Sequence, residues 1–344
     1  MRRRAIAYAL LSAALFGAST PFAKLLVGSV APLALAGLLY LGSGLGLALW
    51  LAVRRPRSVK LPLRDLPWLG AAIVAGGIVG PALLMYGLAR TDGATASLLL
   101  NLEVVFTAVM AWVVFRENVD KRVFMGMLAI AAGGVVLSWE QIPRAGSAAG
   151  PFLIAAACLA WALDNNLTRR VSGGDAVVIA ALKGLVAGAV NLALALGLGA
   201  YLPAPGAIVL AGLVGLVGYG ISLVLFILAL RDLGTARAGA YFSVAPFYGA
   251  ALALWLLGES AGPAFWAAAA LMGLGVWLHL TERHEHEHAH EPTSHAHEHM
   301  HDEHHRHEHD AAWDGREPHS HTHRHARLTH RHPHYPDLHH RHRH

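Results

Sequence analysis

The chain has 344 residues, is 55% hydrophobic and only 14% charged, and has a mean hydropathy of +0.44. An average soluble domain is about 25% charged, so a water-soluble globule is excluded as the first reading and a polytopic membrane protein takes its place. The net charge of +5 is split between two unlike regions: residues 282–344 hold eight arginines against twelve acidic residues, and the basic excess lies in 1–281. Basic excess on a multispan protein belongs to loops beside anionic lipid rather than to nucleic acid, and no nucleic-acid partner is expected.

A span needs about 20 apolar residues. Ten segments qualify, near 5–27, 32–53, 66–89, 93–115, 121–139, 150–168, 175–198, 206–230, 235–257 and 261–281. Arg2-Arg3-Arg4 before an apolar run could pass for a signal peptide, but the run continues through Pro21 and Lys24 and nine more spans follow, so a first transmembrane helix is expected. The single cysteine, Cys158, excludes an intramolecular disulfide framework and reads as a small packing residue.

Lys/Arg placement gives the orientation. With the N-terminus inside, the inner loops hold Arg2 to Arg4, then Arg54, Arg55, Arg57, Lys60 and Arg64, then Arg116, Lys121 and Arg122, then Arg169 and Arg170, then Arg231 and Arg237. The outer loops hold only Arg90 and Arg144. Both termini are therefore expected in the cytoplasm.

The stretch Gly93–Glu117 returns in altered form as Thr235–Glu259, shifted by 142 positions, so that Ala94 meets Ala236, Val104 meets Pro246 and Glu117 meets Glu259. Such recurrence marks a duplicated unit. The units are 1–140 and 150–281, five spans each, joined by a linker at 140–149. An odd number of spans reverses the second copy, which gives an inverted repeat with a site near the midplane between the halves. Glycines at small-xxx-small spacing, such as Gly42/Gly46, Gly76/Gly80 and Gly184/Gly188, suit close helix packing in lipid. Pro21, Pro81 and Pro246 fall inside spans and should kink them.

These residues resemble a known family. Two five-span units, with small residues opening the fourth helix and Glu117 or Glu259 closing it, are similar to the EamA repeats of the drug/metabolite transporter superfamily. LNLEVVFTAVMAWVVFREN and GAYFSVAPFYGA carry the likeness best, and WALDNNLTRR at 161–170 stands opposite FGASTPFAK at 16–24. The whole chain, including HLTERHEHEH, also looks like a bacterial subgroup with histidine-rich tails. Val104 opposite Pro246 and Arg116 opposite Gly258 depart from the pattern and leave open how symmetrically the halves bend. The resemblance implies an all-α carrier of ten transmembrane helices, exporting a small organic solute by alternating access.

Ionisable groups inside spans cost about 2.5–3.5 kcal/mol or more on insertion scales, so each needs a reason. Glu103 lies near the middle of its span, with Asn101 two residues before it. Asp164, followed by Asn165 and Asn166, lies in the sixth helix, Lys24 in the first and Lys183 in the seventh. Glu103 and Asp164 are expected to line a cavity, one from each repeat, and either could carry a proton. Lys24 or Lys183 could bind an anionic substrate group. The competing reading for all of them is an intramembrane ion pair or hydrogen bond. Tyr86, Trp161, Tyr219 and Tyr241 are candidates to stack on a substrate, or else pack and anchor at the interface. A carboxylate at a helix C-terminus opposes the macrodipole, so Glu117 and Glu259 are expected to cap the next helix after a tight turn.

All 24 histidines lie at or after His279. In the tail, His284, His286, His288, His290, His295, His297, His299, His301, His304, His305, His307 and His309 alternate with carboxylates, a pattern suited to Zn, Ni or Co. With no apolar core and with prolines at 292, 318, 333 and 336, the tail is expected to be disordered. No cofactor is required. A divalent-metal exporter with a collecting tail, or a metal sensor without flux, are the alternative readings. An enzyme is not expected, because no nucleophile–base constellation or phosphate loop stands within the spans. Nothing in the sequence sets the oligomeric state.

Overall fold

The computed structural model describes residues 2–54, 62–115, 121–145 and 149–281, together with the backbone of four short segments in the tail. Ten helical segments follow in the expected order. They are α1 (Arg2–Val27), α2 (Pro32–Arg54), α3 (Leu63–Leu88), α4 (Gly93–Leu99 and Leu102–Phe115), α5 (Lys121–Ala145), α6 (Ala149–Val171), α7 (Ala176–Gly197), α8 (205–242), α9 (Ala245–Leu256) and α10 (Pro263–Leu280).

Eight helical stretches among the described residues are long and apolar enough to cross a membrane. The other two are still helical but more polar or shorter in their apolar part. In α6, Asp164, Asn165, Asn166, Arg169 and Arg170 dilute the hydropathy; α5 keeps a shorter apolar stretch, Phe124–Trp139. Large apolar side chains such as Leu49, Trp139, Trp255 and Trp277 are exposed on the outside of the helices, where water would penalise them and lipid does not.

The duplication is written in the backbone. The helix tightness relaxes to π-helix at Ile73–Val79 in α3 and at Gly215–Ile221 in α8, positions that differ by the repeat shift of 142. Likewise α4 breaks at Leu100–Asn101, and the helix breaks at Ser243–Val244 between α8 and α9. Only the second break has a proline beside it, Pro246 in the first turn of α9. Both halves therefore break here despite Val104 standing opposite Pro246. In the first half the exposed carbonyls find other partners. Asn101 Nδ2 donates to Leu98 O at 3.2 Å, and Cys158 Sγ lies 3.7 and 3.8 Å from the carbonyl oxygens of Leu99 and Leu100. Cys158 thus does more than fill space.

The halves differ at one turn. The sequence places a loop between 230 and 235, but α8 runs on as helix to Phe242. The equivalent turn in the first half restarts α4 with Asp92, whose carboxylate accepts from Thr95 N at 2.7 Å. Position 234, which matches Asp92, is glycine and offers no side-chain acceptor to begin a new helix.

Equivalent helices pack on each other across the two halves: α2 on α7, α5 on α10 and α4 on α9, while α1 packs on α8 as α6 packs on α3. The α2–α7 contact is backbone to backbone. A Cβ on Gly44 would meet the main chain of Gly184 and Leu185, so this seam requires glycine for close approach.

In the tail, Glu285–His290 pairs antiparallel with Leu328–Pro333, and Thr293–His299 with His319–His325. The sequence reading expects no regular structure there. The strict alternation of histidine with other residues has the period of a strand, and the backbone of these segments follows it. The twelve candidate metal ligands from His284 to His309 lie outside the residues whose side chains are described, as do Arg116 and Glu117.

Candidate functional site

The break in α4 places Glu103 in the first turn of Leu102–Phe115, where the helix dipole favours a carboxylate. Glu103 is almost fully buried and accepts from Asn165 Nδ2 of α6 at 2.7 Å. One residue earlier in α6, Asp164 meets Lys183 of α7. Lys183 Nζ lies 2.6 Å from Oδ1 and 2.7 Å from Oδ2 of Asp164, and 3.1 Å from Thr168 Oγ1. Thr168, one turn along α6 from Asp164, donates to Oδ1 at 2.8 Å. All three ammonium hydrogens therefore have acceptors, and the ion pair is buried, with Lys183 only 1% exposed.

The π segment of α3 makes room for this pair. A Cβ on Gly76 would run into the Asp164 carboxylate, so only glycine lets the two helices meet here. The wider helix turn also frees carbonyls, and the surroundings satisfy them. Tyr40 OH and Trp161 Nε1 both donate to Gly76 O, at 2.8 and 2.9 Å, and Asn191 Nδ2 donates to Gly77 O at 3.0 Å. Irregular backbone at membrane depth survives only where protein or a wet cavity satisfies it.

Glu103, Asp164, Asn165 and Lys183 open onto one cavity. Its other walls are mostly aromatic, Phe16 of α1, Tyr40 of α2, Trp161 of α6, and Tyr219, Phe226 and Phe242 of α8, with Ser222 the polar exception. The cavity volume is about 60 Å³.

Of the residues singled out from sequence, the structure brings Glu103, Asp164, Asn165 and Lys183 together here. Lys24 lies elsewhere: its ammonium donates to Leu88 O at 2.7 Å and Thr91 O at 2.6 Å, tying α1 to the end of α3. Asn101 is buried at the α4 break, near Met272 Sδ of α10 at 3.9 Å. Tyr241 packs against the small cluster of Ala5, Ala9 and Phe226. Neither Lys24 nor Lys183 is placed to hold an anionic group: the first is off the cavity and the second is fully engaged by Asp164 and Thr168. Glu259 does cap a helix, but not the next one. Its two oxygens accept from Gly93 N and Ala94 N, each at 2.7 Å, at the start of α4 in the other half.

Sequence reasoning missed Phe16, Tyr40, Phe226 and Phe242, which are ordinary apolar residues in apolar helices and carry no signal of their own. Thr168 had one: it stands four residues after Asp164, on the same helical face.

The sequence profile of the EamA-like transporter family matches residues 3–139 and again 148–281. The chain belongs to the EamA-like transporter family. This multi-pass membrane fold accounts for the two matched halves. The chain is 29% identical over 262 residues to an "Uncharacterized transporter" of Methanothermobacter thermautotrophicus, covering 71% of this chain and 76% of that one. A solved crystal structure matches with a TM-score of 0.63 at 18% identity, covering 80% of this EamA-like chain and 98% of its own, which shows a shared fold. Family and relative point to a transporter rather than an enzyme.

Proposed function

We propose that this EamA-like protein is a secondary transporter that exports a small organic solute across the bacterial inner membrane by alternating exposure of the Glu103–Asp164 cavity. The observation that carries the reading is that the two halves each supply part of one buried polar site: Glu103 comes from α4, and Asp164, Asn165 and Lys183 come from α6 and α7. Inverted halves that share a site can exchange conformations around it, and broken helices at the site are the usual means. With the N-terminus inside, Lys24, Glu259 and the start of α4 stand at the outer end of the bundle, where their hydrogen bonds tie α1, α3, α4 and α9 together.

The test is solute counterflow in proteoliposomes holding the full-length protein or Glu103→Gln. Exchange that falls at least about tenfold in the variant supports the cavity as the transport site. Exchange at the full-length rate in Glu103→Gln would overturn it. The metal-exporter reading is weaker: among the described residues no three His, Cys, Asp or Glu side chains gather where they could hold an ion. The histidine tail remains a proposed cytoplasmic collector of Zn, Ni or Co that is separate from the transport path.

A further inference from the structure

We propose that the solute taken at this site is an organic cation, a protonated or quaternary amine on a compact apolar body. This rests on the transporter reading above and adds the charge and shape of the cargo. The charge follows from counting partners. Asp164 and Lys183 neutralise each other, and Thr168 takes the third ammonium hydrogen, so that pair offers nothing to a charged guest. Glu103 is different: its described partner is the neutral amide of Asn165, and among the described residues no basic side chain lies within ion-pair distance. A buried carboxylate without a counter-charge is costly, and a cation entering the cavity supplies what the protein withholds. An anion would meet two carboxylates and an ammonium already taken. A neutral guest would bring Glu103 no counter-charge and leave it to a bound proton.

The shape follows from the walls. The Phe16 ring centroid is 5.7 Å from that of Trp161, 5.6 Å from Tyr219 and 5.4 Å from Phe242, and Tyr40 continues the set at 5.5 Å from Tyr219. A connected group of rings beside a carboxylate attracts an ammonium by its faces and shelters an apolar body by its area. A divalent metal does not fit: one carboxylate and one amide fall short of the ligands that Zn or Ni takes. The small cavity suits an ammonium head group on a body of limited size.

The test uses three probes that share one phenylethyl body: phenethylamine, 2-phenylethanol and 3-phenylpropionate. Binding to the full-length protein in detergent is measured by calorimetry, and exchange by counterflow in proteoliposomes. The amine should bind at least about tenfold more tightly than the other two. Glu103→Gln, which keeps the side-chain shape and is checked for an unchanged melting profile, should abolish that preference, and Glu103→Asp should keep part of it. Equal or tighter binding of the alcohol or the carboxylate, a preference that survives in Glu103→Gln, or no binding of any probe would overturn the proposal. The two readings separate in the flux arm. Exchange of the alcohol or carboxylate without the amine sinks the cation and leaves the transporter; amine preference in binding with no exchange of any probe leaves the cation and sinks transport through this site.

Discussion

Glu259 accepts the backbone N–H of Gly93, 166 residues earlier in the chain, and its second oxygen accepts that of Ala94. A carboxylate just after α9 of one half thus caps the start of α4 in the other, where the helix dipole welcomes it. Loss of a cap of this kind costs about 1–2 kcal/mol. Glu259→Ala should therefore loosen this end of the bundle. A single cysteine placed at Ala94 on a Cys158→Ala background should react faster with a membrane-impermeant maleimide once Glu259 is replaced. Unchanged labelling would show that the cap does not hold this end closed.

The Asp164–Lys183 pair makes a prediction of a different form. Removing one member strands a buried charge, which costs about 3–5 kcal/mol, whereas removing both leaves no charge to strand. Lys183→Met and Asp164→Asn should each lower the melting midpoint in detergent sharply, and the double variant should recover most of the loss. If the two single effects simply add in the double variant, the residues do not act as a pair.

The tail is predicted to bind Zn, Ni or Co through its alternating histidines and to be dispensable for solute exchange. A version stopped after Thr281 should lose metal binding by calorimetry while keeping counterflow. Protons compete with metal for imidazole nitrogen, so binding to the full-length protein should weaken as pH falls toward 5, an effect on the order of tenfold or more. Metal retained by the shortened protein would move the site out of the tail.

How much of this was legible in the sequence depends on what each feature needs. The spans are visible because lipid demands long apolar runs, and the duplication because Gly93–Glu117 and Thr235–Glu259 still align. Glu103 and Asp164 stand out because a carboxylate inside such a run is rare. Their different roles do not, since only the fold shows that Lys183 reaches Asp164 and leaves Glu103 with an amide. The π segments were invisible: π-helix has no residue signature of its own, and Gly76 and Gly80 read equally well as packing glycines. The aromatic wall was hidden for the same reason, because Phe16 and Phe242 look like any lipid-facing or core phenylalanine until the helices come together. Glu259 was half legible, since a carboxylate at a helix end must cap something, but its partner lies in the other half.

Gly76 is where backbone, packing and site depend on one atom. Its carbonyl takes hydrogen bonds from Tyr40 and Trp161, and its missing side chain leaves the space that the Asp164 carboxylate occupies. Gly76→Ala should push α3 away from α6, separate Asp164 from Lys183 and cost about 1–3 kcal/mol or more from overpacking alone. Counterflow should fall to background. Gly70→Ala is the control: it lies in the same helix with nothing within 4 Å of the added carbon, and helix propensity favours the change. Equal loss of activity in both would point to a general sensitivity of α3. Loss in Gly76→Ala alone would locate the sensitivity at the contact with Asp164.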